Sequence, residues 1–255
     1  MKKLSIIVIG TIFLACTGPE SEGENSEPIV SADTVTVDTI TVDSSEFEEP
    51  YIIDSLEQSI IDAGLVNIQD SIPGILVDLK YSTLDNFMEE DVYGHMSRAY
   101  LQPEVAASLK KSQESLKERD SSLTLLVFDA VRPRSVQQIM WDIVDLPVWE
   151  KGKFVSNPAN GSVHNYGCAV DLTIAQNDGT PLDMGAGYDD PAKIAYPRHE
   201  QAYLDSGMLS TDQIANRELL RAVMRDGGFW GIGTEWWHFN RYSRAKAKTM
   251  YKILE

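Results

Sequence analysis

The sequence predicts a single α+β domain over residues 49–255. Three observations lead there. Segments of helical and of strand-like character follow one another in mixed order, without the regular βαβ alternation of a doubly wound sheet. No internal repeat is visible within the domain. The 255-residue length suits one domain with a tail and allows a sizeable core.

The elements follow in chain order. Ser55 to Ala63 places Leu56, Ile60 and Ile61 at helical spacing, and Ile75 to Tyr81 alternates in part and reads as a strand. Pro103 opens a helix to about 118, with Val105, Leu109 and Leu116 apolar and Lys and Glu between them. Leu123 to Phe128 is a continuous apolar run, the mark of a buried strand. Ser135 to Val144 is helical after the Arg132-Pro133 turn. Cys168 to Ile174 is a second buried strand, leading into the turn signal Asn177-Asp178-Gly179. Thr211 is expected to cap a long helix to Met224, ended by Gly227 and Gly228, with Phe229 and Trp230 in the core.

The amino-terminal residues read differently. Lys2 and Lys3 precede an apolar run, Ile6 to Leu14, far shorter than the about 20 residues that span a bilayer. The run ends in Phe13-Leu14-Ala15-Cys16, which is similar to a bacterial lipobox except that Phe13 stands where Leu is usual. Residues 1–16 are therefore expected to be a lipoprotein-type signal, with Cys16 lipidated and the protein held on the periplasmic or outer side of a bacterial envelope membrane. The alternative is an ordinary cleaved signal with an incidental cysteine. Residues 17–48 are rich in Ser, Thr, Glu and Asp and read as a solvated linker, since the alternating Thr and Val of residues 34–42 have no visible strand partner.

Charge and cysteines narrow the function. The chain carries 22 basic and 39 acidic residues, a net charge of −17, and residues 17–50 hold ten acidic and no basic residues. Such a balance argues against a nucleic-acid partner, which takes Lys and Arg on one face. Only Cys16 and Cys168 exist. With Cys16 lipidated, no internal disulfide is available, and Cys168 reads as a small core residue.

Of the four histidines, two stand in unusual company. Ser162-Val-His164-Asn-Tyr-Gly167-Cys-Ala-Val-Asp171 sets a histidine in a turn and an aspartate on the following strand, with Gly167 free to let the chain fold back. Gly233-Thr-Glu235-Trp-Trp-His238 puts a carboxylate three residues before a second histidine. Two His and one Asp make a catalytic zinc set with a fourth position left for water, and Glu235 is then a candidate base. In a regular strand, Glu235 and His238 face opposite sides, so sharing a site needs a bend. One of Trp236 and Trp237 is expected in the core and the other at the pocket wall; His95 and His199 read as surface.

These segments resemble the zinc D-alanyl-D-alanine dipeptidases of the vancomycin-resistance type, within the wider group of D,D-carboxypeptidases and hedgehog-like domains. The pattern Ser-x-His-x-x-Gly-x-Ala-x-Asp-Leu-Thr is met from Ser162 to Thr173, and Glu-Trp-Trp-His from Glu235 to His238. Asp78-Leu-Lys-Tyr81, Asp85-Asn-Phe87, Asp129-Ala-Val-Arg132-Pro133 and Met184-Gly-Ala-Gly-Tyr-Asp189 also match, in family order over roughly residues 65 to 245.

The resemblance implies a hedgehog/D,D-peptidase-like fold, with a central, mainly antiparallel sheet flanked by helices. It also implies one zinc per chain on His164, Asp171 and His238, Glu235 as general base, and Arg132 steadying the oxyanion. Asp189 would meet the substrate's ammonium, with Tyr81 and Ser162 in the substrate pocket. The blander readings are a turn arginine paired with Asp129 and an ordinary loop carboxylate before Pro191.

The implied substrate is D-Ala-D-Ala from peptidoglycan, and wall-fragment scavenging suits an exported enzyme better than resistance. Two alternatives stay open: a zinc D,D-carboxypeptidase trimming stem peptides, and a non-catalytic zinc module binding wall peptides. Relatives of the first type usually carry Pro where this chain has Trp236, and binding alone needs neither Glu235 nor Arg132. Oligomeric state and side-chain preference are not written in the sequence.

Overall fold

A computed structural model of the chain describes residues 51–255; the expected signal, Cys16, the linker and the first two residues of the expected domain lie outside the described residues. In chain order the elements are α1 (Ser55–Asp62), β1 (Val66–Asn67), α2 (Ile68–Ser71), β2 (Leu76–Val77), β3 (Tyr100–Leu101) and α3 (Pro103–Arg119). Then come β4 (Leu123–Asp129), α4 (Arg134–Ile143), α5 (Val148–Lys151), β5 (Ala169–Gln176), α6 (Glu200–Asp205), α7 (Thr211–Asp226), β6 (Trp230–Gly231), β7 (His238–Asn240) and α8 (Arg244–Met250).

The main sheet runs β2-β4-β5-β7-β6, and a two-stranded ribbon pairs β1 with β3. Only β2 and β4 run parallel; the other neighbours are antiparallel. With helices packed around it, the fold is the expected α+β arrangement with a mainly antiparallel sheet. The continuous apolar runs explain the two central strands. Every residue of β4 is buried, and so is every residue of β5 except Gln176, because helices and loops cover both faces.

Pairing in the sheet aligns the functional residues. Asp129 is the register partner of Asp171, and Asp171 that of His238, so the three lie side by side on adjacent strands. A slip of one residue in either pairing would turn one of them to the opposite face.

The local chemistry sets the ends of the elements. Asp54 caps α1 by accepting from the Glu57 amide at 2.8 Å, and Pro103 stands at the start of α3. The long helix α7 is capped by Ser210, not Thr211: the Ser210 hydroxyl and the Gln213 side chain form a reciprocal capping box. Thr211 is the first helical residue instead.

Two further expectations are corrected. The strand read over Ile75 to Tyr81 is only Leu76–Val77, because the chain turns into a 3₁₀ turn at Lys80–Ser82 that buries Tyr81. Trp230 lies on the edge strand β6 and is 46% exposed, while its neighbour Phe229 is in the core.

Helix α7 also mounts a loop that matters below. Arg217, buried in the interior, donates from Nε to the Met184 carbonyl at 2.7 Å and from Nη1 to the Ile194 carbonyl at 3.1 Å. Its Nη1 and the Arg221 guanidinium share Glu200, at 3.3 and 2.8 Å. Gln213 and Asn216 hold Asp183 at 2.8 Å each. The segment from 183 to 200 is thus fastened to one face of α7.

Candidate active site

His164 sits in a 3₁₀ turn, His164–Tyr166, that closes on Gly167 at φ 63°. A side chain at Gly167 would strike Leu65 at 2.8 Å, so the fold-back needs glycine on two counts. The turn leads directly into β5, which carries Asp171, and β7 begins at His238. Bends at Trp236 and Trp237 precede β7 and let Glu235 and His238 approach, with Glu235 Oε2 3.9 Å from His238 Nδ1.

The three candidate ligands converge. Among the described residues, His164, Asp171 and His238 form a group whose donor atoms all lie within 4.8 Å of one another. His164 Nε2 is 3.2 Å from His238 Nδ1 and 3.4 Å from Asp171 Oδ1, and His238 Nδ1 is 2.9 Å from that oxygen. A tetrahedron with ligands about 2.0–2.1 Å from its centre has edges of about 3.3 Å, so this donor set fits zinc.

The surroundings prepare the set. His164 Nδ1 donates to the Ala130 carbonyl at 2.7 Å, which leaves the Nε2 lone pair facing its two companions. Burial opposes the charge on Asp171, but the two imidazoles outweigh it and hold its carboxyl well below the usual range. Burial likewise opposes protonation of His238, yet the hydrogen bond and charge of Asp171 push its pKa up to about 9. A metal held by these residues would take the place of that proton.

Arg132 pairs with Asp129, as its structural reading has it, and it also lines the cleft. Its Nε and Nη2 donate to Asp129 Oδ2 at 2.9 and 2.5 Å, and its guanidinium lies 4.9 Å from the centre of the Tyr81 ring. Asp129 is wholly buried, and its other oxygen accepts from the Tyr93 hydroxyl at 2.6 Å. Held this way, Arg132 still lines the cleft, with Nη2 3.7 Å from Asp171.

Asp189 adopts φ 58°, a left-handed turn that Asp tolerates better than most residues. Its Oδ2 accepts from the Tyr81 hydroxyl at 2.7 Å. Burial raises its pKa, and despite Tyr81 it stands at about 8. Burial also raises the pKa of Glu235, against the opposing charge of His238.

Tyr81, Arg132, Ser162, His164, Asp171, Asp189, Glu235 and His238 all line one cleft of about 500 Å³. The Ser162 hydroxyl is buried there without a partner. Trp237 lines this cleft while Trp236 lines a second one behind the 183–190 loop; both rings are buried. His95 is exposed, but His199 is half-buried and stacks on Tyr196 with ring centres 5.9 Å apart. Cys168 is in the core, and burial pushes its thiol up to about 12.

Tyr188, to which the sequence reading gave no role, donates to Asp171 Oδ2 at 3.2 Å and packs its ring on Tyr81 and Trp237. Its one sequence signal is its place in the Gly-Ala-Gly-Tyr-Asp run, beside Asp189. Tyr93, behind Asp129, has none.

Comparison with known proteins identifies the family. The family model described as D-Ala-D-Ala dipeptidase, of the M15 peptidases, matches residues 61–254. The D-alanyl-D-alanine dipeptidase of Escherichia coli K12 is 34% identical over 175 residues, 69% of this chain and 83% of that one. That of Enterococcus faecium is 28% identical over 194 residues, 70% of this chain and 92% of its own. A solved LD-carboxypeptidase, LdcB, aligns at 17% identity with a TM-score of 0.36, over 59% of this chain and 63% of that one.

Proposed function

The chain belongs to the M15 family of D-Ala-D-Ala dipeptidases, and from that premise we propose that it hydrolyses D-Ala-D-Ala with one zinc ion held by His164, Asp171 and His238. The observation that carries the reading is the convergence of those three donor sets, 2.9 to 3.4 Å apart, beside a carboxylate and a buried arginine in one cleft. Zinc held there would supply a water of pKa about 7 and would polarise the scissile carbonyl.

The chain's own residues do the rest. Glu235 takes a proton from the attacking water and returns it to the leaving amine; its raised pKa brings it nearer the working pH, as a base requires. Arg132, fixed by Asp129 and the Tyr81 ring, meets the oxygen on which negative charge grows. Asp189, steadied by the Tyr81 hydroxyl, meets the free ammonium of the dipeptide. Trp237 and Phe87 wall the cleft and keep water away from these charges.

From the lipobox-like amino terminus we further propose that the protein is tethered through Cys16 in the bacterial envelope, where D-Ala-D-Ala would be a product of wall turnover.

The test is D-alanine release by the purified protein. Activity on D-Ala-D-Ala should vanish with a strong chelator and return with zinc, and His164→Ala should lose the metal. Glu235→Gln should retain zinc and lose about two or more powers of ten in kcat. Chelator-resistant activity, or near-normal turnover by the Glu235 variant, would remove zinc or Glu235 from the mechanism.

A further inference from the structure

Each residue of the proposed metal set turns one atom toward its companions and has a second atom to be held from behind. His164 offers Nε2 and donates from Nδ1 to the Ala130 carbonyl at 2.7 Å. Asp171 offers Oδ1, while its Oδ2 accepts from the Tyr188 hydroxyl at 3.2 Å. His238 offers Nδ1, and among the described residues both hydrogen bonds of its ring involve that nitrogen. Its Nε2 has no such partner. A neutral imidazole that turns its Nδ1 lone pair to a metal carries its proton on Nε2, and an acceptor for that proton fixes both the tautomer and the plane of the ring.

An acceptor stands two residues on. Asn240 shares β7 with His238, and side chains two apart on a strand leave the same face. The alternation holds here: His238 and Asn240 both line the cleft, whereas Phe239 between them is buried in the core. Pairing with β5 on one side and β6 on the other sets Asn240 opposite Ala169 and Trp230. Asn240 is 8% exposed, and its Oδ1 is buried and meets no donor in good geometry. An amide oxygen buried in that state is costly and calls for a partner. The ring of His238 registers the neighbour: burial lowers its pKa, and Asp171, Glu235 and, after them, the Asn240 side chain raise it. A donor without an acceptor and an acceptor without a donor thus project from one face of a three-residue strand.

We propose that Asn240 is a positioning residue for the metal site: its Oδ1 accepts the Nε2 proton of His238 and so keeps the Nδ1 lone pair facing Asp171 and His164. The inference rests on the zinc reading of the cleft and deepens it, since it assigns the partner that the second histidine lacks. Asn240 touches no reacting atom in this role and acts only through the ring. His164 is held by a main-chain carbonyl, so His238 is the histidine whose orientation one side-chain substitution can release.

The experiment measures the zinc Kd of the full-length protein by competition with a chelator, for the wild type, Asn240→Leu and Asn240→Asp. Asn240→Leu keeps the size and removes the acceptor, and its Kd should rise about 10- to 100-fold, the usual loss when the outer partner of a metal ligand is removed. Asn240→Asp keeps an acceptor oxygen in the same place and should bind zinc as tightly as the wild type or more tightly. Nitrogen NMR of the zinc-loaded wild type reads the same bond directly and carries the test if the leucine variant melts early. His238 should hold its proton on Nε2, protected from exchange with water. An unchanged Kd in Asn240→Leu, an equal rise in both variants, or an Nε2 proton in free exchange would overturn the assignment. A wild type that holds no zinc would overturn it together with the zinc reading. The metal is the readout, so failure here is distinguishable from failure of the dipeptidase reading, which turnover of D-Ala-D-Ala tests.

Discussion

Asp189, the proposed partner of the substrate's ammonium, is held at a cost to the fold. Burial pushes its carboxyl up to about 8, whereas an unfolded chain leaves Asp near 3.9. The folded protein therefore binds a proton that the unfolded chain releases, and stability falls as pH rises from about 4 to about 8. Asp189→Asn removes that penalty and should weaken binding of the substrate's ammonium. In thermal melts of the metal-free protein, Asp189→Asn should match the wild type near pH 4 and exceed it by several degrees at pH 9. A constant difference across that range would show that the carboxyl is not desolvated. Zinc would narrow the gap, since a nearby divalent cation favours the ionised form.

At the scale of elements, the site is assembled by two devices. One is the register of β4, β5 and β7, which lines up Asp129, Asp171 and His238. The other is the fastening of the 183–200 segment to α7 through Arg217, which carries Tyr188 and Asp189 to the same place. Arg217 is buried and shares Glu200 with Arg221, so removing its charge leaves Glu200 with one partner and two carbonyls with none. Arg217→Met should destabilise the protein by about 3–5 kcal/mol, read from denaturant midpoints, and should raise KM more than it lowers kcat. A loss below about 1 kcal/mol with unchanged KM would mean that the loop stands without α7.

Across the whole molecule, the sequence was most legible where one physical signal dominated. The apolar runs of β4 and β5, the period of α3 and the end signals of α7 gave elements within a residue or two. Short strands were harder. At β2 two residues pair before the chain turns, too few for an alternation to register. Trp230 misled because bulk suggests burial, whereas β6 is an edge strand with one side open. The candidate ligands were legible because His-x-x-Gly and Glu-x-x-His are local patterns. Tyr188 and Tyr93 were not, because their contacts with Asp171 and Asp129 span 17 and 36 residues.

The proposed tether rests on the lipobox-like sequence that ends at Cys16 and is tested separately from the chemistry. Cys16→Ser should release the protein from membrane fractions while kcat/KM for D-Ala-D-Ala is unchanged. A wild type recovered wholly in the soluble fraction, with an unmodified amino terminus, would instead mean a simple cleaved signal.

The central claim is that this cleft hydrolyses a free dipeptide, and it turns on the amino end of the substrate. In the proposed reaction Asp189 would recognise an ammonium one residue from the scissile bond; an acyl group there would bring no charge and would fill the space. The most direct measurement is kcat/KM for D-Ala-D-Ala against N-acetyl-D-Ala-D-Ala, by zinc-loaded full-length protein. The free dipeptide should be cleaved better by about two or more powers of ten, the scale at which a buried polar group left unpaired discriminates. Equal or faster cleavage of the acetylated substrate would contradict the dipeptidase assignment and make the protein a D,D-carboxypeptidase.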